Sequence, residues 1–365
     1  MCSYRRVRWD TQKNDDAATL PGLGMRGLVR SVRTPEFAGI TFHEVIARSA
    51  LNKVPAASAM PFRWTVNPFR GCTHACVYCF ARPTHEYLDL DAGRDFETQV
   101  VVKTNVVDVL RAELARPSWD RETVALGTNT DPYQRAEGRY AFMPGIIRSL
   151  IEARTPLSIL TKGTLLRRDL ALLAEAAEHV PVGIGVSVAV GDEGLQQALE
   201  PGTPTPRARL DLIRAVREAG LPCGVMVAPV LPWLTDGLEE LDALLAQLAE
   251  VGATGVTVLP LHLRGPVKPL FLEWLATNRP ELVARYRSLY GEGAYAPREY
   301  VRWLDERVRP LVRKHRLGRG GGHRFTSPRP DEEGTHPRGS MPRTSAPPTE
   351  GRPPTAPPVL QPALF

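Results

Sequence analysis

Cysteine is scarce in this chain, with five residues in 365. An odd count that small, and no apolar signal core in the first thirty residues, argue against a disulfide framework. They predict a cytoplasmic protein in a reducing compartment, with cysteine left for metal binding or catalysis. No apolar run approaches the roughly 20 residues that span a bilayer, so no membrane segment is expected. The phosphate loop G-x-x-x-x-G-K-[ST] is absent. The one glycine-bearing strand run, GIGVSVAVG at 183–191, lacks the G-x-G-x-x-G spacing of a dinucleotide fold. Charge of one sign is also missing from the body of the chain. Residues 1–33 carry a net +4 and residues 318–365 a net +2, which together account for the formal +6 and leave 34–317 neutral by count. A basic groove for nucleic acid would therefore have to come from uneven placement.

What is present is alternation. Short β-branched apolar runs at 63–69, 123–128, 157–162, 182–188, 223–230 and 255–261 are separated by helical patterns at 106–116, 144–154, 165–179, 206–220 and 236–252. Runs apolar on both faces predict a parallel sheet, and strand–helix alternation predicts an α/β fold. Pro144 and Pro206 suit first-turn positions and Gly220 and Gly252 suit helix ends. Six such units predict a partial (β/α)6 TIM-like barrel, whose chemistry sits at the C-terminal ends of its strands. The segment 98–105 reads as an extra edge strand, and Ile40–Val54 as a short amphipathic helix. The expected divisions are an N-terminal extension with that helix (1–59), the core barrel (60–265), C-terminal helices forming a cap (266–317) and a disordered tail (318–365). The tail holds 11 Pro and 7 Gly in 48 residues, too little apolar surface to offset ordering. In the cap, Trp274, Tyr286, Tyr290 and Trp303 fall at spacings that fit one packed face.

Three of the five cysteines fall within eight residues, Cys72, Cys76 and Cys79, in NPFRGCTHACVYCFAR. Gly71 permits a tight entry, and the short spacings bring three sulfurs to one side. Structural zinc needs four ligands, which here means recruiting His74 or His85. Iron–sulfur clusters normally take four thiolates, and three leave one iron open to another ligand.

The motif C-x3-C-x-aromatic-C, met by Cys72, Cys76, Tyr78 and Cys79, resembles that of the radical S-adenosylmethionine (radical SAM) superfamily over residues 60–265. FETQVVVKTN, GTNTDPYQRAEG, ILTKGTLLRRDLALL and SVAVGDEGLQQALEPGTPTPRARLDLI resemble its spore photoproduct lyase-like group, also labelled DNA repair photolyases. The resemblance implies a [4Fe-4S] cluster on Cys72, Cys76 and Cys79, with S-adenosylmethionine on the fourth iron. Reduction then cleaves the sulfonium to methionine and a 5′-deoxyadenosyl radical. It further implies Tyr78 near the adenine, Thr128, Asn129, Thr130 and Asp131 at the methionyl amino group, Ser187 at the ribose and Arg209 on the cofactor carboxylate. Three of these have a plainer alternative: a turn at Asp131-Pro132, a core hydroxyl at Ser187, a solvated face at Arg209. Lys162 ends a strand and is costly to bury without a partner or ligand; it and Tyr133 are candidate catalytic residues.

The lyases use a further cysteine downstream of the motif as hydrogen donor. The only downstream cysteine here, Cys223, starts a strand and so falls at the wrong barrel end. "Photolyase" is therefore a group label rather than a substrate, and a nucleic-acid base is the first substrate class by likeness alone. Expected partners are a reductant such as flavodoxin or ferredoxin, with the chain a monomer. The competing reading is a zinc-stabilised nucleic-acid-binding protein without radical chemistry.

Overall fold

Buried β-branched runs set the frame. The computed structural model describes residues 27–55, 60 and 62–318. Its strands are β1 (Leu28–Val32), β2 (Thr41–Val45), β3 (Leu51–Lys53), β4 (Trp64–Val66), β5 (Phe69–Arg70), β6 (Gln99–Lys103), β7 (Val124–Leu126), β8 (Leu157–Thr161), β9 (Val182–Ser187), β10 (Cys223–Val230) and β11 (Gly255–Pro260). Seven of them form one sheet in the order β11-β10-β9-β8-β7-β4-β3. The six strands from β4 to β11 in this sheet pair in parallel, and β3 adds an antiparallel edge to β4. The partial (β/α)6 barrel is thus present, as an open sheet with β3 and β11 at its edges. Every residue of β9 is buried, as a strand covered on both faces must be. The helices Val106–Leu114, Met143–Glu152, Leu170–His179, Pro206–Glu218 and Leu238–Glu250 lie between the strands where the apolar spacing predicts them. Pro144 and Pro206 open their helices, and Gly220 and Gly252 take φ of +78° and +80° just past the helix ends.

Three expectations need correction. Ile40–Val54 is not a helix: it supplies β2 and β3. Its apolar spacing fits either period, and long-range pairing decides, because β2 runs beside β6 in register from Thr41↔Gln99 to Val45↔Lys103. The segment around 98–105 is a strand, but in a separate four-stranded sheet, β1-β2-β6-β5, not at the barrel edge. The first barrel run, 63–69, splits at Asn67-Pro68 into β4 and β5. Pro68 has no N–H for a ladder, and β5 leaves to pair with β6. The predicted tail lies outside the described residues except for Gly318.

The chain after β11 forms the helices Val267–Asn278, Val283–Tyr290 and Arg298–Lys314. Phe271, Leu275, Tyr286 and Tyr290 of the first two pack with Cys76, Tyr78, Leu199, Leu231 and Leu261. These two helices therefore cap the strand ends that carry the cysteine loop. The third packs Leu304, Val308 and Val312 into the main barrel core. Trp274 is half-buried with its Nε1 donating to the Ala198 carbonyl at 3.0 Å. Trp303 departs from the predicted face: it is 39% exposed, with the Arg307 guanidinium over its ring.

Candidate active site

The cysteine loop leaves β5 through Gly71 at φ +84°, and it is pinned from three sides. Arg82 reaches back from inside. Its Nε donates to the Cys76 carbonyl at 2.9 Å, its Nη2 to the Ala75 carbonyl at 3.2 Å, and the same Nη2 pairs with Glu97. Gln134 holds the loop from the turn after β7. It accepts the Thr73 N–H at 2.8 Å and donates to Thr130 Oγ1 and the Gly71 carbonyl. The third support is the segment after β9, where the Val77 N–H donates to the Leu199 carbonyl and the Gly202 N–H to the His74 carbonyl. A Cβ at 202 would overlap the Thr73 carbonyl oxygen, so only glycine allows this approach.

The three thiols of this loop are free; Cys72 and Cys76 are each 7% exposed and Cys79 is half-buried. Burial pushes the Cys76 and Cys79 thiols up, Glu200 adding to the effect at Cys76. Ionising them calls for a cation, and Lys162 lies within electrostatic reach of both. Among the described residues, no three His, Cys, Asp or Glu side chains converge closely enough for a single ion. The two histidines near the loop have partners of their own, and His74 also bonds the Cys72 thiol. His85 bonds the Gln99 carbonyl at 2.9 Å, and His74 faces Asp131 at 3.3 Å. Three adjacent thiols without a fourth suit a multi-iron centre with one position left for a non-protein ligand.

Beside the thiols lies a buried charged network. Glu200 is fully buried. It accepts from the Tyr78 hydroxyl and from Arg209, and Lys162 Nζ lies 3.6 Å away. Burial alone would raise its pKa, but Lys162 and Arg209 beside it, and the hydrogen bonds from Tyr78 and Arg209, bring it down to about 2. Arg209 is also fully buried, and it donates further to the Ser187 and Pro204 carbonyls and to Thr203 Oγ1. It is therefore neither the solvated face residue of the sequence alternative nor a guanidinium left open for a carboxylate. Lys162 differs: its side chain keeps 13% exposure, its Nζ donates to Ser187 Oγ at 2.6 Å, and it stands 5.8 Å over the Tyr78 ring. The strand-end lysine has the partners that its burial requires.

The turn after β7 is ordered by its own side chains. Asp131 accepts from Thr161 Oγ1, from the Lys162 N–H at 2.7 Å and from the Tyr133 N–H at 2.9 Å. Burial opposes its ionisation, but His74 and these donors hold its pKa below the usual range. Burial likewise works against a charged His74, yet Asp131 and Cys72 raise it to about 10. Thr130 is buried and donates to the Gly71 carbonyl at 2.7 Å; Thr128 is half-buried and Asn129 exposed, both bonded to Asn67 Oδ1. Tyr133 lies apart from this constellation. Its hydroxyl is 3.0 Å from Asp169 in a pocket closed by Arg168 and Glu137, and the side chain is 1% exposed. Cys223 is fully buried at the start of β10, the barrel end opposite the cysteine loop, as its sequence position implies.

The structure thus brings Cys72, Cys76, Cys79, Tyr78, Lys162, Ser187 and Arg209 into one constellation, with the 128–131 turn against its cysteine loop. Gln134, Asn67, Arg82, Gly202 and Glu200 also shape the site, and none of them is among the residues that the sequence singles out. All five lie inside stretches quoted from the sequence, but as single polar or small residues none carries a signal of its own.

A family description, Radical SAM superfamily, matches residues 66–246. The chain belongs to the radical SAM superfamily. Uncharacterised proteins of Mycobacterium tuberculosis and Mycobacterium bovis are 68% identical to it over 314 residues, covering 86% of this chain and 92% of theirs. An uncharacterised protein of Methanocaldococcus jannaschii is 25% identical over 195 residues, 53% of this chain and 69% of that one. The fold is similar to that of spore photoproduct lyase solved with a dinucleoside spore photoproduct, with TM-score 0.56 at 16% identity over 75% of this chain and 79% of the other. No helix among the described residues is long and apolar enough to cross a membrane.

Proposed function

We propose that this protein is a radical SAM enzyme, with a [4Fe-4S] cluster on Cys72, Cys76 and Cys79 and S-adenosylmethionine as the ligand completing it. The observation that carries this reading is the juxtaposition of three free, pinned thiols with Tyr78 and Lys162. When bound, the pair supplies reductive cleavage of the sulfonium, giving methionine and a 5′-deoxyadenosyl radical. This chain's own residues bind and orient. Lys162, with a polar ammonium at a partly open position, meets the cofactor carboxylate, and Ser187 beside it meets a ribose hydroxyl. Arg209 acts behind them: it fixes Glu200, which fixes the Tyr78 ring against the adenine. The turn at Thr128, Asn129, Thr130 and Asp131 sets the wall at the methionyl amino group.

The substrate is proposed to be a nucleic-acid base, supported only by the fold's likeness to a lyase solved with a dinucleoside. A flavodoxin- or ferredoxin-type carrier supplies the electron, and the chain works as a monomer. Neither Cys223 nor Tyr133 is placed to return a hydrogen atom, so the donor is sought in the substrate or in the cofactor product.

The test is anaerobic iron loading, reduction with dithionite and assay for 5′-deoxyadenosine. We expect about four irons per chain, as a three-thiolate cubane requires, and product that disappears in each of Cys72→Ala, Cys76→Ala and Cys79→Ala. A colourless protein with one zinc, or product from the triple variant, overturns the reading. Deuterium recovered in 5′-deoxyadenosine from a deuterated oligonucleotide identifies the substrate class, and its absence rejects that class.

A further inference from the structure

Among the described residues, six buried side-chain nitrogen or oxygen atoms have no hydrogen-bond partner: those of Thr34, Thr73 and His85, and the Nε atoms of Arg139, Arg307 and Arg309. Only Thr73 stands between two of the cluster ligands, directly after Cys72. The residue is 5% exposed. Its backbone cannot turn away, since its N–H is held by Gln134 Oε1 at 2.8 Å and its carbonyl lies under Gly202. A hydroxyl buried without a partner is destabilising, and native structures keep such groups where something else completes them. No sulfur of the loop accepts from this hydroxyl.

We infer that Thr73 is a tuning residue whose hydroxyl donates a hydrogen bond to a sulfur of the iron–sulfur centre. This inference rests on the cluster assignment above. A donor aimed at a thiolate or sulfide sulfur favours the more negative, reduced state, and hydrogen bonds to sulfur are among the factors that set cluster potentials. Thr73 therefore raises the reduction potential and makes the centre easier to reduce.

Thr73→Val removes the hydroxyl and keeps the branched shape, whereas Thr73→Ser restores the donor. Each variant of the full chain is loaded with iron anaerobically, its iron content measured, and its midpoint potential read from the reduced-cluster EPR signal at fixed ambient potentials. The expected result is a tenfold smaller reduced-to-oxidised ratio for Thr73→Val than for wild type, about 59 mV for a one-electron couple, with Thr73→Ser near wild type. In the metal-free protein the hydroxyl has nothing to lose, so Thr73→Val should unfold in urea at or above the wild-type midpoint. An unchanged potential at equal iron content overturns the inference and assigns the hydroxyl to a bound water. Destabilisation of metal-free Thr73→Val also overturns it, by revealing a protein partner. Failure of the wild-type chain to hold iron is a different result, and it strikes the cluster assignment itself.

Discussion

Lys162 and Arg209 both end beside Glu200, and their surroundings separate their roles. Arg209 is fully buried and spends its donors on protein oxygens. Lys162 keeps some exposure, and without it Glu200 still has Arg209 and Tyr78. Lys162→Ala is therefore expected to cost less stability than Glu200→Ala, since Arg209 still neutralises Glu200, while weakening S-adenosylmethionine binding at least tenfold. Glu200→Ala leaves Arg209 buried without a counter-charge and should cost about 3–5 kcal/mol. Urea unfolding and equilibrium cofactor binding on the iron-loaded protein measure both. A Lys162→Ala protein that unfolds easily yet binds the cofactor normally per folded molecule would reverse the assignment.

At the scale of elements, the small sheet β1-β2-β6-β5 carries an unusual cost. Lys103 ends β6 with 7% exposure, and its ammonium makes no hydrogen bond among the described residues. Burial and, less strongly, the nearby Arg70 charge lower its pKa from 10.5 to about 8, with Glu113 only partly opposing them. Between those two values the unfolded chain binds more protons than the folded one, so this group makes stability rise with pH. At neutral pH the buried charge costs roughly 3 kcal/mol by that linkage. Lys103→Met should thus be more stable than wild type at pH 7, and the difference should shrink by pH 9.5, below the tyrosine range. Urea titrations at the two pH values decide it; a difference that does not change with pH removes Lys103 as the cause.

The same sheet shows where sequence was legible. The barrel strands and the helices between them were readable because the β-branched runs are largely buried, Val182–Ser187 on both faces, and each helix repeats its own apolar period. Ile40–Val54 was not, because its apolar residues fit both periods and β6, more than fifty residues on, settles the matter. The site divides likewise. Cys72, Cys76, Tyr78 and Cys79 are local, so spacing announced them. The Tyr78–Glu200 bond joins residues 122 apart, and Glu200 in isolation looks like any surface carboxylate.

Over the whole molecule, the cap and the cysteine loop share one apolar cluster, whereas the last helix belongs to the barrel core. Tyr286 is fully buried in the first, T-stacked on Trp233 at 5.5 Å, its hydroxyl donating to the Pro232 carbonyl at 2.7 Å. Leu304 is 3% exposed in the second. Tyr286→Ala and Leu304→Ala should destabilise comparably, by about 2–5 kcal/mol each, since both open cavities among buried side chains. Their effects on the metal centre should differ. Tyr286 shares its apolar cluster with Cys76 and Tyr78, so Tyr286→Ala should loosen the loop and admit water and oxygen. Loss of iron–sulfur absorbance to a chelator in air should then run several-fold faster for Tyr286→Ala than for wild type. It should be near the wild-type rate for Leu304→Ala at a temperature where both variants are folded. Equal acceleration in the two would mean that iron retention follows global stability alone, and that the cap helices do not specifically guard the site.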